Sequence, residues 1–434
     1  MREPMSPVDA AWFHMEEPTD PMTVTATLWF DASPDWGPIL ARIEERIVNR
    51  YPRFKHRIVD APFRRGGPRW EEDPTFSLEA HVHRVGLPRP QDAGALQRLI
   101  ADRVGTPLDL RFAPWSIDLV DGFGAGAAMV VRIHHCVADG LALAHVLLDL
   151  ADDQPSDPVR TRRAPPEAHV DLVHHGRAAA AALYKLVLCR PDPRSPLKGP
   201  LGMIKRVAWS RPIPLARIKE RGLSERATVN DVLVAAVSGA VRSWLSAHQP
   251  SVRDLRAFIP VDLREGERPD SGLGNRFGLV YLALPLAEPD PVGRMREIQK
   301  RMAAIKHTPE ASVAFGVLTA LGALPLRIER EMLRVFGAKG TLVLTNVRGP
   351  EEPIHIAGNR VAGLMFWVPQ SGHVAIGVSL LSYAGELRVG ISTDAGIVPD
   401  PEALVASLEA ELGLGPANSG VLRPPAPAGS PVHA

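Results

Sequence analysis

Two proline-rich segments interrupt the middle of the chain and constrain its fold more than any other feature of the sequence. They run from Asp153 to Pro166 and from Arg190 to Pro214. Proline lacks the N–H that a helix needs and clashes with the preceding turn, so neither segment can continue as a helix. With 434 residues the chain is also too long for one hydrophobic core. We therefore expect two folded domains with a linker between them.

The linker is expected to contain one helix, and the chain to end in a tail. Asp171–Cys189 is apolar and predicts a helix that bridges the two halves. The last stretch is rich in proline, glycine and alanine, a composition typical of disorder. The predicted division is an N-terminal domain at residues 1–152, a linker with the bridging helix at 153–214, a C-terminal domain at 215–414 and a disordered tail at 415–434.

Both halves mix strands and helices. Thr23–Phe30 and Ala127–Ile133 are predicted strands of the first half, and Asn230–Leu245 is a predicted helix of the second, with apolar residues along one face. Further strands are predicted at Val280–Leu286, Gly340–Thr345, Val374–Leu381 and Leu387–Thr393. Because these elements do not alternate as a strict βαβ repeat, the fold class we predict is α+β in two domains, not one doubly wound sheet.

Composition limits the cellular compartment and the kinds of partner that we expect for this chain. The formal net charge of +1 gives no sign of nucleic-acid binding, and two cysteines, Cys136 and Cys189, fit a reducing, cytoplasmic compartment. The most apolar run, Ala311–Leu326, is short for a bilayer span and contains Pro325, so any membrane contact should be peripheral. A basic cluster in the first half is open to three interpretations: a solvated face, binding of the phosphates of a ligand, or attraction to anionic lipid. Its members are Arg53, Lys55, His56, Arg57, Arg64, Arg65 and Arg69.

The segment Met129–Leu150 (MVVRIHHCVADGLALAHVLLDL) carries the candidate chemistry. A β run ends in His134-His135, and Asp139-Gly140 then opens an apolar helix, with a glycine that allows a tight turn. Neutral imidazole is the natural base near pH 7. The same pattern is also typical of a polar strand end followed by an Asp N-cap. A metal site is not expected, because adjacent strand residues point to opposite faces and no third ligand follows at a recognisable spacing.

HHCVADG matches the HHxxxDG motif of chloramphenicol acetyltransferases, non-ribosomal peptide condensation domains and wax ester synthases. Other segments, in order along residues 5 to 410, make the chain resemble one branch, the bacterial wax ester synthase/diacylglycerol acyltransferases. They are MSPVDAAWFHME at Met5–Glu16, Tyr51–Phe54, Pro107–Asp109, Pro114-Trp115, TVNDVL at Thr228–Leu233, PVDLR at Pro260–Arg264, LGNRF at Leu273–Phe277 and TNVRGP at Thr345–Pro350. There are two departures from the family pattern: the family usually has Pro-Leu-Trp where this chain has Ala113-Pro114-Trp115, and it usually has Pro where this chain has Arg348.

The resemblance implies two chloramphenicol-acetyltransferase-like domains with an interdomain tunnel and His135 at its middle. His134, His135 and Asp139 would form the catalytic motif, with His135 as general base and Asp139 structural. Substrate-binding or supporting roles fall to Gly140, Asn230, Asp231 and Arg264, the last as a partner for Asp139. The residues themselves give Asp231 another reading, a helix-start pattern with Thr228 as cap, and leave Asn230 able to face the tunnel. Cys136 is expected to be buried and inert.

The implied activity is O-acyl transfer from acyl-CoA to a fatty alcohol or a diacylglycerol, forming wax ester or triacylglycerol. Acyl-CoA would be a co-substrate and no other cofactor is expected. The expected partners are these substrates, with peripheral contact to membranes or lipid inclusions and no nucleic acid. Three alternatives stay open: a condensation-type catalyst that uses another thioester donor or a specialised lipid acceptor, a non-enzymatic coat of lipid inclusions or membranes, and a metalloenzyme built on His134 and His135.

Overall fold

A computed structural model describes residues 2–59, 67–153, 180–181, 183–184, 186, 189–264, 273–306, 308–370 and 374–415. Two large β-sheets with flanking helices form its framework. The strands are β1 Arg2–Pro4, β2 Thr23–Phe30, β3 His56–Val59, β4 Arg69–Glu72, β5 Val82–Gly86, β6 Trp115–Phe123, β7 Gly126–His134, β8 Lys205–Trp209, β9 Ile213–Pro214, β10 Leu255–Asp262, β11 Phe277–Leu284, β12 Leu342–Arg348, β13 His355–Ile356, β14 Asn359–Trp367, β15 Ile376–Tyr383 and β16 Glu386–Asp394.

The α-helices of the described residues are α1 Pro7–His14, α2 Trp36–Arg42, α3 Ala93–Gly105, α4 Gly140–Leu148, α5 Leu215–Ser224, α6 Val229–His248, α7 Pro291–Lys306, α8 Glu310–Leu321, α9 Leu326–Gly337 and α10 Pro401–Glu411. A π-helical stretch, Ile43–Val48, continues α2. Short 3₁₀ turns occupy Pro52–Lys55 and Leu78–Ala80. Within the part of the chain described here, no helix is long and apolar enough to cross a bilayer.

The first sheet has the strand order β13-β14-β2-β7-β6-β5, and the second has β11-β10-β12-β15-β16-β8, with β9 also paired to β16. Strands β1, β4 and β3 form a small third sheet. Apolar side chains gather into two large buried clusters. The mixed α+β class is therefore confirmed, and the strands predicted at Thr23–Phe30 and Ala127–Ile133 are present with the expected bounds or one residue more at each end.

The sheets cross the domain boundaries drawn from sequence. Strands β8 and β9 fall inside the predicted linker, yet both pair with β16 in the second sheet. Strand β14 falls in the predicted second domain, yet it pairs antiparallel with β2 in the first sheet. The reason is that every residue of β2 is buried, so its hydrogen-bonding edge needs a neighbour on each side. Most of the predicted bridging helix and of the predicted tail lies outside the described residues.

Candidate active site

His135 immediately follows β7 and is held by both its backbone and its ring. Its N–H donates to the carbonyl of Met22, with an N···O distance of 2.6 Å. The imidazole stacks on the indole of Trp12, with ring centroids 4.2 Å apart and an angle of 17° between the planes. Phe277 lies against the same imidazole at 5.6 Å. Because the residue is only 7% exposed, these contacts fix one ring position.

Asn275, in the loop just before β11, is the hydrogen-bonding partner of this imidazole. Its Oδ1 lies 2.9 Å from Nδ1 of His135. Its Nδ2 donates to the backbone carbonyl of His135 at 2.8 Å and to Oδ1 of Asp9 at 2.7 Å. The backbone carbonyl of His135 can only accept a hydrogen bond, so the side-chain atom of Asn275 that contacts it must be the Nδ2 donor. This contact fixes the orientation of the amide. Oδ1 must therefore accept, Nδ1 of His135 must carry the proton, and Nε2 is left with a free lone pair.

Asp9 of α1 anchors the amide from behind. Its Oδ1 accepts from both the backbone N–H and the side-chain Nδ2 of Asn275. Its Oδ2 accepts from the hydroxyl of Ser6, the N-cap of α1, at 2.6 Å. Burial raises the pKa of the Asp9 carboxyl, and the bonds from Ser6 and Asn275 oppose that rise. The N-terminal helix thus positions an asparagine that arrives 266 residues later in the chain.

Burial also sets the protonation state of His135. Loss of solvent disfavours the imidazolium and lowers the pKa of His135 to about 4, although the charge of Asp139 acts in the opposite direction. The ring is consequently neutral at physiological pH. A neutral ring with its proton on Nδ1 has the form that a general base needs.

Asp139 acts at the beginning of α4. One carboxylate oxygen, Oδ1, accepts from the backbone N–H of Ala142 and caps the helix. The other, Oδ2, accepts from Arg264 at 2.5 Å and from the backbone N–H of Arg276 at 2.9 Å. The side chains of Asp139 and Arg264 are 5% and 8% exposed. The pairing predicted between these two residues is present, and it ties the helix after the motif to the loop before β11.

His134 and Cys136 face other surroundings. Nδ1 of His134 accepts from the backbone N–H of Cys136, and Nε2 lies 2.9 Å from the carboxylate of Glu16. The two histidines therefore have different partners, as the opposite orientation expected from strand geometry predicts. Cys136 is fully buried, and burial raises the pKa of its thiol. Among the described residues no group of three or more His, Cys, Asp or Glu side chains is arranged to hold a metal ion.

The Asn230-Asp231 pair lies at the start of α6. Thr228 and Asp231 form a capping box, each side chain bonded to the other's backbone N–H, as the helix-start pattern predicts. Oδ1 of Asn230 accepts from Nδ2 of Asn346 at 3.1 Å. It is Asn346, in the TNVRGP segment, that lines the cavity beside His135. The structure thus brings the Asn-Asp pair near the site through Asn346.

Three adjoining cavities share lining residues around His135. The central cavity is lined by His135, Asp139 and Gly140 and by residues of both sheets, among them Val24 of β2 and Val343 of β12. A first apolar cavity shares part of its lining with the central one and extends to α8 and α9; the shared residues are Trp12, Phe258, Phe277 and Leu279. A second apolar cavity extends along α4; it shares Val24, Gly140, Val347 and Phe366. His135 therefore lies between two apolar arms.

Several features predicted from sequence lie away from the central cavity. In the basic cluster, Arg57 pairs with Glu71 and Arg53 with Glu3, while Lys55 donates to Asn49. These local pairings favour the solvated-face interpretation; Arg64 and Arg65 lie outside the described residues. At the first departure from the family pattern, Ala113-Pro114-Trp115, the side chain of Trp115 is buried and its indole N–H donates to the carbonyl of Phe54. At the second departure, Arg348 is exposed and pairs with Glu351.

Sequence reasoning did not assign roles to Asp9, Trp12, Glu16 or Asn275. Each lies in a segment that carries the resemblance, but only in the folded chain do Trp12, Glu16 and Asn275 contact the two histidines. Asp9 acts one step further away, through its bonds to Asn275. Asp9 had one available signal, an acidic residue surrounded by apolar ones in the first turn of a helix. Asn275, between glycine and arginine in a loop, offered none that separates it from an ordinary turn residue.

Comparison with known proteins identifies the family. The wax ester synthase/diacylglycerol acyltransferase catalytic domain matches residues 5–188, and the C-terminal domain of the same family matches 273–414. A Mycobacterium tuberculosis protein described as a probable diacylglycerol O-acyltransferase is 29% identical over 87% of both chains. The O-acyltransferase WSD of Acinetobacter baylyi is 26% identical over 95% of this chain and 96% of its own.

Solved structures agree on the fold. The wax ester synthase/diacylglycerol acyltransferase from Marinobacter aquaeolei superposes with a TM-score of 0.71 at 20% identity, covering 95% of this chain and 98% of that one. The first condensation domain of the calcium-dependent antibiotic synthetase superposes with a TM-score of 0.65 at 17% identity, covering 96% and 97%. The predicted two-domain architecture of the acetyltransferase type is confirmed, and the chain belongs to the wax ester synthase/diacylglycerol acyltransferase family of acyltransferase enzymes.

Proposed function

We propose that this enzyme transfers a long-chain acyl group from acyl-CoA to the hydroxyl of a fatty alcohol or a diacylglycerol, with His135 as general base. One observation carries the proposal: a buried, neutral imidazole with its proton fixed on Nδ1 lies between two apolar cavities. The relatives named as diacylglycerol O-acyltransferases and as O-acyltransferase WSD support the choice of acceptors.

In the proposed reaction, Nε2 of His135 takes the proton of the acceptor hydroxyl as the oxygen attacks the thioester carbonyl. The tetrahedral intermediate then breaks its C–S bond and releases the CoA thiolate, and Nε2–H returns the proton to that sulfur. Burial favours this return because it depresses the pKa of the imidazolium. The ordinary pKa of a thiol is higher, about 8.5, so the proton passes readily from the imidazolium to the thiolate. Protons and charge balance without a covalent enzyme intermediate.

Other residues would orient these steps. Asn275 and Asp9 hold the imidazole in its reactive tautomer, and the Asp139–Arg264 pair holds the turn that follows His135. Thr345 and Asn346 present uncharged hydrogen-bonding side chains at the wall of the central cavity, and we assign them to the oxygen of the intermediate. Cys136 is not suited as a nucleophile, because its thiol is buried and its pKa is raised.

The two apolar arms give each long chain its own space. The wall of one arm comes from α8, α9 and β11, and that of the other from α4, β2 and β14. Burying a hydrocarbon chain is worth about 0.8 kcal/mol per CH₂ group, so two matched arms could hold two chains with their reactive ends at His135. A donor and an acceptor that are both long-chain lipids fit this arrangement better than an amino-acid acceptor does.

The test is to incubate the full-length protein with labelled palmitoyl-CoA and, separately, hexadecanol, dioleoylglycerol and an amino-acyl thioester. We expect labelled wax ester, labelled triacylglycerol or both, with release of free CoA. A parallel reaction supplies palmitoyl carrier protein in place of palmitoyl-CoA. Product from the carrier-protein donor alone, or an amide from the amino-acyl acceptor alone, would contradict the proposal and favour a condensation-type catalyst.

A further inference from the structure

A polar cavity of about 470 Å³ lies in the first half of the chain, apart from the three cavities around His135. Among the described residues, none that lines it also lines one of those three. Arg132 of β7 lines the polar cavity and pairs with Thr25 of β2. The neighbours of Thr25 in sequence, Val24 and Ala26, line the other cavities. Because successive strand residues point to opposite faces, the polar cavity lies across the first sheet from the candidate active site.

The polar cavity has an exposed rim and a buried floor. Asp109 and Phe112 of its lining are exposed and form the rim. Arg132, Asp118 and His81 are 6%, 4% and 2% exposed and form the floor. The wall between them is largely apolar and includes Pro107, Leu108, Ala113 and Trp115. A small molecule from solvent therefore meets an apolar wall and, below it, buried polar groups.

Arg132 is a buried cation without a carboxylate partner. Its guanidinium donates to one backbone carbonyl, and its Nε is buried without a hydrogen-bond partner. Both carboxylates that line the cavity are bound to other arginines, Asp118 to Arg103 and Asp109 to Arg111. In the part of the chain that the structure describes, no carboxylate lies within ion-pair distance of Arg132. Burial lowers the pKa of Arg132 to about 10, which leaves it charged at neutral pH.

The other titratable groups near this guanidinium do not change that count. Nδ1 of His81 donates to the carbonyl of Trp115 at 2.9 Å, and burial lowers the pKa of His81, so the ring adds no second positive charge. Asp102 and Glu16 attract Arg132 from a distance, but each lies against another basic side chain. One positive charge at the floor therefore has no negative charge of its own.

This single charge and the apolar wall determine the kind of ligand that fits. Water can accept hydrogen bonds from Arg132, but it brings no charge, and an unpaired buried charge is costly. A carboxylate is planar, accepts two hydrogen bonds from one guanidinium and carries one negative charge. A phosphate dianion would place a second negative charge near the buried Asp118. We propose that the polar cavity binds a small monocarboxylate with an apolar body, its carboxylate on Arg132 and its body against the wall.

Binding is measured with the full-length protein, and it does not depend on the proposed function. Isothermal titration calorimetry at neutral pH compares phenylacetate with phenylacetamide, which has nearly the same shape but no charge. We expect phenylacetate to bind at least about tenfold more tightly, because only its carboxylate forms charge-assisted bonds with the guanidinium. Equal binding of the two probes, or binding of neither, would overturn the proposal. Tighter binding of inorganic phosphate than of phenylacetate would also contradict it.

Two variants test whether the probe occupies this cavity. Arg132→Gln should lower the affinity for phenylacetate about tenfold, to that of the amide, and leave the amide unaffected. Ser116→Leu places a larger side chain directly opposite Arg132 in the lining, and it should weaken both probes while keeping the guanidinium. The matched control is Arg84→Gln, which alters an exposed arginine of β5 outside the cavity and should bind both probes like the unmodified protein.

Thermal melts check that each variant folds. If Arg132→Gln does not fold, Ser116→Leu decides the question, because it keeps the buried charge. Unchanged affinity for phenylacetate in folded Arg132→Gln would contradict the assignment of the carboxylate to Arg132. Unchanged affinity in folded Ser116→Leu would show that the acid binds elsewhere, for example in the apolar cavities beside His135. No step of the experiment requires ester formation, so failure of the proposed function would leave this result standing.

Discussion

The carboxamide oxygen of Asn275 lies 2.9 Å from Nδ1 of His135, although 140 residues separate the two in sequence. The same amide donates to the backbone carbonyl of His135, so it contacts both the ring and the main chain of one residue. It is held in turn by Asp9. This contact joins the two halves of the chain at the imidazole of His135 and places the ring proton on Nδ1, so that Nε2 keeps its lone pair.

Asn275→Ala should lower kcat about 10²-fold while changing KM little, because the imidazole would lose the acceptor that fixes its tautomer. Steady-state kinetics with palmitoyl-CoA measure both constants. Asn49→Ala, at an exposed position, is the control and should match the unmodified enzyme. An unchanged kcat in Asn275→Ala would show that the ring is oriented by Trp12 and the backbone alone.

Asp139→Ala should destabilise the protein by about 3 kcal/mol, because it leaves the buried guanidinium of Arg264 with one of its two carboxylate partners, Asp262, and removes the cap of α4. The measurement is the free energy of unfolding in denaturant. Arg264→Ala should cost a similar amount, and the double variant less than the sum of the two. The exposed pair of Asp109 and Arg111 supplies the control, with a cost of about 1 kcal/mol or less for Asp109→Ala. A melt of Asp139→Ala that matches the unmodified protein would refute the structural role.

The pH dependence of kcat/KM should differ from that of an ordinary histidine base. Because burial lowers the pKa of His135 to about 4, the ring stays neutral as the pH falls through 6.5, and the rate should hold until the fold fails or the pH nears 4. Over the same window the unfolded chain gains a proton that the native state does not, so stability decreases as pH falls. Circular dichroism at each pH separates the two effects. A rate that halves near pH 6.5 in folded protein would contradict a buried base.

A fragment of residues 1–150 should form no ester even though it contains the whole HHCVADG motif. It lacks β14, which pairs with β2, and it lacks Asn275 and Arg264. The unpaired edge of β2 should make the fragment prone to aggregation. Light scattering and an esterification assay test both expectations beside the full chain. Ester formation by a soluble fragment would show that the second half is not needed for the site.

The sequence predicted the individual strands and helices of this fold better than it predicted which strands pair with each other. Strand β2 and helix α6 were recognisable because their apolar residues repeat with the period of a strand or a helix. The pairing of β14 with β2 was not, because it joins segments more than 300 residues apart and no local pattern records it. The boundary at residue 214 was misplaced for a related reason: the proline-rich composition around β8 and β9 indicates a linker although both strands pair with β16.

For the candidate site too, the sequence predicted local motifs better than contacts between distant segments. His135 and Asp139 were identified by a local motif, and Arg264 by a second segment that the family resemblance supplied. The sequence did not identify Asn275 and Asp9, because their importance arises from a contact between distant segments. An asparagine in a loop and an aspartate in the first turn of a helix also have commoner structural roles. The resemblance pointed to the segments that meet around His135, while geometry was needed to find which of their residues make contacts there.

The most direct test of the account is the turnover of His135→Ala with palmitoyl-CoA and a long-chain acceptor. A positioned general base contributes at least about 10²-fold, so we expect the variant to retain about one hundredth of the rate or less. His248→Ala, at an exposed position on α6, is the control and should keep full activity. Thermal melts must show that both variants are folded. Retention of more than about a tenth of the turnover by folded His135→Ala would contradict the assignment of His135 as general base.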